Sequence, residues 1–431
     1  MEKTNRFLWF LALILSTLAC ATLTGGPTAP PVAQPNLVRP SNGLIAFLGT
    51  DGNVFTVDET GANLLALTND AHPRVPGGPV RVYQHPTWTR DGQHLAYVFL
   101  ELAGGEQTAR ILVTGPNTAQ TTEIFNSADE APFYLYWSPD NNTLSFLTQS
   151  TAADLSLRLA FLDGTASRVA DTGQPYYWVW SPAGDEIFVH KGGAQATNPH
   201  ARLAHFFSVD GKTQTFELEP GRFQAPGWSP DGTQFLAATG DALIVFDRAG
   251  HIVQTIAAYD LSISATWSPD GQQIAYLPTN SAGGGFLGTL TVQTATGNIY
   301  TPSDPTVFAY FWAPDSQKIA YFTFSNGTDA DAATLISTHP QQMPRLSLNV
   351  MDTTTGATHR LITFQPTEDF LGILPFFDQY HHSATIWAPD STALVYTAPN
   401  ADGIPGVWVI PAAGGPPTQI ANGTEAFWSW K

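Results

Sequence analysis

The sequence is poor in cysteine and in charge. Cys20 is the one cysteine among 431 residues, which excludes a disulfide framework and any metal site built from several thiolates. Only 13% of residues are charged, and 18 basic residues stand against 36 acidic ones, so the formal net charge is -18. A chain this acidic repels phosphate backbones and anionic lipid headgroups. We therefore expect no binding to nucleic acid.

The motifs of the common enzyme classes are also missing. The sequence has no G-x-S-x-G elbow, no H-E-x-x-H pair, no phosphate-binding glycine loop and no EF-hand pattern. The 11 histidines are scattered, and the adjacent His381 and His382 would face opposite ways on an extended strand. We therefore predict a protein that is not an enzyme and that has no cofactor and no metal site.

The N-terminus has the layout of an export signal. A short basic segment precedes an apolar run of 13 residues (7–19), which is too short to span a bilayer comfortably, and Cys20 follows at once. A lone cysteine in this place resembles the lipobox of bacterial lipoproteins, in which the cysteine is lipidated. The alternative is cleavage after Ala21, which removes the cysteine. We predict a signal peptide at 1–19 and a lipidated cysteine with a Pro/Thr-rich tether at 20–37.

A decapeptide that begins with tryptophan recurs along the rest of the chain. The copies are WTRDGQHLAY from Trp88, WSPDNNTLSF from Trp137, WSPAGDEIFV from Trp180, WSPDGTQFLA from Trp228, WSPDGQQIAY from Trp267, WAPDSQKIAY from Trp312 and WAPDSTALVY from Trp387. Apart from one interval of 75 residues, successive copies are 39 to 49 residues apart, the length of a four-stranded propeller blade. In each copy a strand ends at the tryptophan, a Pro-Asp-Gly type of turn follows, and a second strand alternates in hydrophobicity.

The two ends of the chain complete one more copy. Trp428 begins an eighth copy that stops at once, while VRPSNGLIAF (38–47) matches the turn and second strand without the tryptophan. We therefore predict that the C-terminal strand pairs with the N-terminal strands and closes a ring of eight blades. The interval of 75 residues leaves seven or nine blades as alternatives.

Trp-Ser-Pro-Asp-Gly followed by an Ile-Ala-Tyr strand resembles the repeat of the TolB-like β-propellers. The same repeat occurs in the propeller domains of prolyl oligopeptidases and dipeptidyl peptidases. The resemblance covers residues 38–431 and implies an all-β fold, a stand-alone propeller of four-stranded antiparallel blades. It is specific to the fold rather than to one function. Arg90 departs from it, because it stands where the repeat has proline.

The interval of 75 residues contains two insertions, at 324–344 and 365–384. Alternate connections of an up-and-down sheet lie on the same side, so both should project from one face of the disc, which we call the insertion face. The segment FLGILPFFDQYHH in the second insertion is apolar for a loop. It predicts either a partner-binding surface or a lid over the central channel.

The candidate ligand or partner surface combines this segment with aromatic residues of the inner strands. Its residues are Tyr134, Tyr176, Trp178, Tyr310, Phe376, Phe377, Asp378, Tyr380, His381 and His382. An aromatic mouth of this kind suits a peptide or a glycan. The first hypothesis is an exported module of the cell envelope that binds a protein, peptide or glycan and touches the membrane through its lipid anchor only. The alternatives are a hydrolase or lyase that uses Glu368, Asp369, Asp378 and the histidine pair, and a purely structural assembly component.

Overall fold

The computed structural model describes residues 42–431 except for 74–77, 116, 117, 119, 150–154, 193–201, 208–210, 223, 241, 280–286, 305 and 326–343. The predicted signal peptide, Cys20 and the tether lie outside the described residues, and so does most of the insertion at 324–344. Within the described ranges, no helix is both long and apolar enough to cross a membrane.

The described strands form seven antiparallel sheets, which are the blades of a propeller. Three strands precede the first complete blade: β1 (Ile45–Gly49), β2 (Val54–Val57) and β3 (Leu65–Ala66). Blade 1 contains β4 (Val80–Trp88), β5 (Leu95–Ala103), β6 (Glu106–Thr114) and β7 (Thr121–Ser127). Blade 2 contains β8 (Ala131–Trp137), β9 (Thr143–Gln149), β10 (Leu155–Phe161) and β11 (Arg168–Gly173). Blade 3 contains β12 (Tyr176–Trp180), β13 (Glu186–Lys191), β14 (Arg202–Phe207) and β15 (Thr213–Thr215).

The next three blades have the same four-stranded order. Blade 4 contains β16 (Gly227–Trp228), β17 (Gln234–Ala238), β18 (Ala242–Asp247) and β19 (Ile252–Ala258). Blade 5 contains β20 (Ser262–Trp267), β21 (Gln273–Thr279), β22 (Thr291–Thr294) and β23 (Ile299–Tyr300). Blade 6 contains β24 (Val307–Trp312), β25 (Lys318–Phe324), β26 (Leu346–Asp352) and β27 (Thr358–Phe364). Three strands remain: β28 (Ala393–Pro399), β29 (Pro405–Pro411) and β30 (Thr418–Trp428).

Blade 7 joins the two ends of the chain in one six-stranded sheet of order β28-β29-β30-β1-β2-β3. Ile45 pairs with Trp428 in the antiparallel ladder between β1 and β30, which confirms the predicted closure of the ring. The expectation of eight blades is wrong. β30 is one continuous strand of 11 residues that pairs with β29 and with β1, so the last two sequence repeats share a single sheet. The strand before Trp387 is reduced to isolated bridges.

The repeated tryptophans pack between blades, as their fixed place in the repeat predicts. The indole of Trp137 donates from Nε1 to the carbonyl oxygen of Thr87 at 3.1 Å, and that of Trp387 donates to Phe311 at 3.0 Å. In both cases the acceptor is the residue just before the tryptophan of the preceding copy. Each of these two buried indoles therefore satisfies its polar group and fixes one blade against the next.

Three copies lack glycine at the turn position with positive φ. Asn141, Ser316 and Ser391 occupy it with φ of 65°, 60° and 62°. Each side chain accepts the backbone N–H of an aspartate in the preceding turn, at 3.1 Å for Asn141 and 3.0 Å for both serines. The hydrogen bond between neighbouring turns offsets the strain that a side chain adds in this region.

The insertion at 365–384, which we call the plug, is helical rather than a loop. It contains α1 (Glu368–Ile373), a 3-10 turn (Leu374–Phe376) and α2 (Phe377–Tyr380). Thr367 caps α1, because its hydroxyl accepts the N–H of Phe370 at 3.4 Å. The short helices satisfy their own backbone groups, which lets the plug occupy a buried position.

The channel plug as candidate functional site

The first half of the plug is anchored by apolar side chains. Phe370, Ile373 and Leu374 are at most 5% exposed, and the ring of Phe370 lies 5.9 Å from that of Phe322 in blade 6. Phe377 packs against Tyr310 of β24 with ring centroids 4.7 Å apart. Burial of these side chains is the main apolar contribution to holding the plug in the ring.

Asp378 and Gln379 attach the middle of the plug to blades 2 to 5. The Asp378 carboxylate accepts the N–H of Ala225 at 3.0 Å and the hydroxyl of Ser264 at 3.4 Å. The Gln379 amide donates to the carbonyl of Trp178 at 3.0 Å and accepts the Trp178 N–H at 3.3 Å. It therefore pairs with the free edge of an inner strand as a neighbouring peptide would. Tyr134 donates to the Gln379 carbonyl at 2.7 Å.

The C-terminal end of the plug is held by blade 1. Arg90 donates from Nη2 to the carbonyl of His382 at 2.9 Å, and its guanidinium lies 3.7 Å from the centre of the Trp430 ring. His382 stacks on Tyr136 at 5.7 Å. Arg90, the departure from the repeat, thus connects blade 1, the plug and the chain end.

The rings of His381 and His382 lie 3.8 Å apart, because they follow a helix end and not a strand. Burial lowers the pKa of His381 to about 4, with a smaller contribution from Arg90, and burial also lowers the pKa of His382. Both rings are therefore neutral at physiological pH. Among the described residues, no three or more His, Cys, Asp or Glu side chains come together as a metal-ligand set.

Five residues that stand three positions before a repeated tryptophan interact with the plug. They are Tyr134, Tyr177, Ala225, Ser264 and Glu425. Tyr134, Ala225 and Ser264 bond directly to the plug, while Tyr177 and Glu425 interact electrostatically with Asp378 and Tyr380. The predicted surface includes Tyr134 but not Tyr177, Ala225, Ser264 or Glu425, although all five stand at the same spacing from a tryptophan.

Two channel carboxyl groups have raised pKa values. Burial raises the pKa of Asp378 to about 6, although the N–H of Ala225 opposes the shift. Burial raises the pKa of Glu425 to about 8, and the nearby Asp369 adds to the effect. Glu425 therefore holds a proton at neutral pH, when most glutamates are ionised.

The structure brings most of the predicted surface together inside the channel. Of the ten residues, Tyr134, Tyr176, Trp178, Tyr310, Phe377 and Asp378 are buried, Tyr380, His381 and His382 are partly exposed, and Phe376 is 45% exposed. Tyr176 lies apart from the plug contacts, since its hydroxyl donates to Asp171 at 2.9 Å. The arrangement agrees with the lid alternative, and a ligand for these residues stays a prediction.

No protein-family model matches the chain, and no curated protein does. Several solved structures match the chain. The dihydro-heme d1 dehydrogenase NirN in complex with DHE is 12% identical, with a TM-score of 0.54 over 93% of this chain and 78% of that one. The fold they share is the β-propeller. An oligogalacturonate lyase in complex with manganese is 18% identical, with a TM-score of 0.49 over 85% of this chain and 96% of that one.

TolB from Acinetobacter baumannii is 12% identical, with a TM-score of 0.39 over 84% of this chain and 87% of that one. In this chain the repeat does build a propeller of antiparallel blades. The predicted resemblance is confirmed as a likeness of fold. At these identities it carries no conclusion about function.

Proposed function

We propose that the protein is a binding or scaffold module of the cell envelope that recognises a protein, peptide or glycan through the insertion face. The observation that carries this proposal is the plug, which contacts all seven blades while leaving Phe376 exposed at 45%. A channel occupied by the chain's own residues favours recognition on the face over chemistry inside the ring.

Phe376 is the apolar side chain that the plug offers to a partner. It lies in the 3-10 turn between α1 and α2, next to the exposed Pro375. An exposed aromatic ring held by a buried segment loses little conformational freedom on binding, which suits an interface anchor.

The test is affinity capture from solubilised envelopes with the wild-type protein and a Phe376→Ser variant. Leu64→Ser is the matched control, because Leu64 is 58% exposed and lies in the β2–β3 connection on the opposite side of the disc. We expect a partner that the wild type and Leu64→Ser retain and Phe376→Ser loses. Equal capture by all three would refute a docking role for this face.

The proposal includes export and lipid anchoring through Cys20. The apolar run before Cys20 and the uncharged tether after it support this part. Cys20→Ser should move the protein from the membrane fraction to the soluble fraction. An unchanged distribution would favour cleavage after Ala21 or another mode of attachment.

A second candidate, a hydrolase or lyase at the channel mouth, is favoured by one observation. Asp369 and Glu425 interact electrostatically, and Glu425 has the raised pKa that a general acid needs. A screen of envelope glycans for turnover, repeated with Glu425→Gln, tests it. Turnover that this substitution abolishes would promote the enzyme over the binding module.

A further inference from the structure

We propose that Arg90 and Trp430 form a binding site for an oxyanion, a phosphate or carboxylate group, on the side of the disc opposite the insertion face. Arg90 lies in the turn between β4 and β5, and Trp430 lies just after β30. The two insertions belong to the alternate connections, so these turns project from the other side, which we call the turn side. The inference therefore concerns a second surface and does not rest on the proposed function.

Both residues replace the proline of the repeat. Arg90 stands two positions after Trp88, and Trp430 stands two positions after Trp428, where the remaining six copies have proline. Proline carries no charge and offers no side-chain donor. The replacement therefore gives two turns of the ring a cation and an aromatic ring that the other turns lack.

Trp430 covers one face of the Arg90 guanidinium and leaves its edge for hydrogen bonds. The guanidinium carbon lies 3.7 Å from the centre of the Trp430 ring. Because the N–H groups of a guanidinium lie in its plane, stacking on the ring keeps them available. Nη2 donates to the carbonyl of His382 at 2.9 Å, and the hydroxyl of Tyr136 also interacts with the guanidinium. These contacts fix the orientation of the fork.

Arg90 has no acidic partner, which sets it apart from other partly buried arginines. Arg81 forms an ion pair with Glu101, and Arg158 pairs with Glu130 at 2.6 Å. Arg90 forms no ion pair with a carboxylate anywhere in the described part of the chain. A cation that has lost part of its hydration without gaining a counter-ion is stabilised by an anion that reaches it.

The carboxylate next to Arg90 in the sequence is used by its own turn. Asp91 accepts the hydroxyl of Thr89 at 2.7 Å and the N–H of Gln93 at 2.9 Å. The Arg90 N–H groups that do not contact His382 or Tyr136 have no acceptor among the residues that the structure describes, and the side chain is partly exposed. An oxyanion from solvent can therefore accept from this fork through two oxygens at once.

Short-range contacts, and not long-range attraction, should select the anion. The net charge of -18 repels anions at a distance, so steering does not assist binding. Affinity should then depend on the planar fork as well as on the charge of Arg90. A lysine at this position keeps the charge and loses the paired donors, which separates the two contributions.

The experiment is calorimetric titration of the full chain at neutral pH with inorganic phosphate and, separately, with acetate. Binding of phosphate alone assigns a phosphate group to the site, and binding of acetate alone assigns a carboxylate. Arg90→Gln should weaken binding about tenfold, as expected for loss of one charge-assisted contact. Arg90→Lys should weaken it about threefold. Arg360→Gln removes the same charge from an exposed side chain of β27 and should change the affinity less than about twofold.

Failure of both anions to bind the wild type would overturn the site, and so would equal weakening by Arg90→Gln and Arg360→Gln. Thermal melting of each variant shows whether it folds, since Arg90 also holds the end of the plug. If Arg90→Gln does not fold, Arg90→Lys decides. Weaker binding at an unchanged melting temperature supports the site, and unchanged affinity refutes the role of the fork.

Discussion

The interfaces between blades differ in chemistry from the contacts that hold the plug in the channel. Between blades 3 and 4 the contact is aromatic, with the rings of Phe188 and Phe235 4.5 Å apart and Phe216 against Phe246 at 5.1 Å. The plug adds to its apolar anchors the polar pair Asp378 and Gln379.

The difference teaches where specificity resides. Apolar contacts between blades recur in every copy and serve the ring as a whole. Each polar contact of the plug instead involves a side chain that is present in one copy of the repeat and not in the others, such as Ser264 or Tyr134. Substitutions between blades should therefore lower the free energy of unfolding most. Substitutions in the plug should first loosen the plug in the channel.

The largest effect is expected where the ring closes. Trp428 is fully buried and donates from Nε1 to the carbonyl of Asn42 at 2.8 Å. Trp428→Ala should lower the free energy of unfolding by about 3–5 kcal/mol in urea titrations. Ile252→Ala, at a side chain 56% exposed, should cost less than about 0.5 kcal/mol. Similar costs for both would show that closure adds little stability.

The next effect concerns the plug. Gln379→Ala removes the hydrogen bonds to Trp178 and leaves buried backbone groups unpaired, at a cost of about 2–3 kcal/mol. Limited proteolysis should then cut within 365–384 faster than in the wild type. Gln93→Ala, at an exposed glutamine, is the control. An unchanged cleavage rate would mean that the apolar anchors alone hold the plug.

Stability should depend on pH through Glu425. Its pKa of about 8 in the folded state exceeds the ordinary value of 4.5, so the folded chain keeps a proton that the unfolded chain loses. The contribution is complete below pH 4.5 and is lost as the pH rises through about 8. Thermal melts across this range should show a decline that Glu425→Gln reduces. A decline of equal size in the variant would assign it to other groups.

The smallest effect on stability is expected at Arg90, where the turn of the repeat and the contacts with the plug favour different residues. Arg90→Pro restores the proline of the repeat, and proline in a compatible turn stabilises by about 0.4–1 kcal/mol. The substitution also removes the contacts to His382 and Trp430. We expect a net loss of about 1 kcal/mol, measured by urea titration. A net gain would show that the turn outweighs the contacts with the plug.

Much of the fold was predictable because it repeats. The spacing of the tryptophans indicated four-stranded blades, and the incomplete copies at the two ends indicated the pairing of β1 with β30. The number of blades was not predictable, since each tryptophan marks a copy of the repeat and not a separate sheet. The sequence of the plug indicates a loop, because α1 and α2 have only six and four residues and too few turns for a helical pattern.

The amino-acid order by itself determined the strands, their turns and the closure of the ring, because these depend on local propensity and on a repeated pattern. Only the tertiary structure decided the chemistry of the channel. Gln379 meets Trp178 across 201 residues, and Glu425 meets Asp369 from another element. Such contacts depend on how the ring closes around the plug, and no local sequence pattern encodes a contact between residues so far apart along the chain.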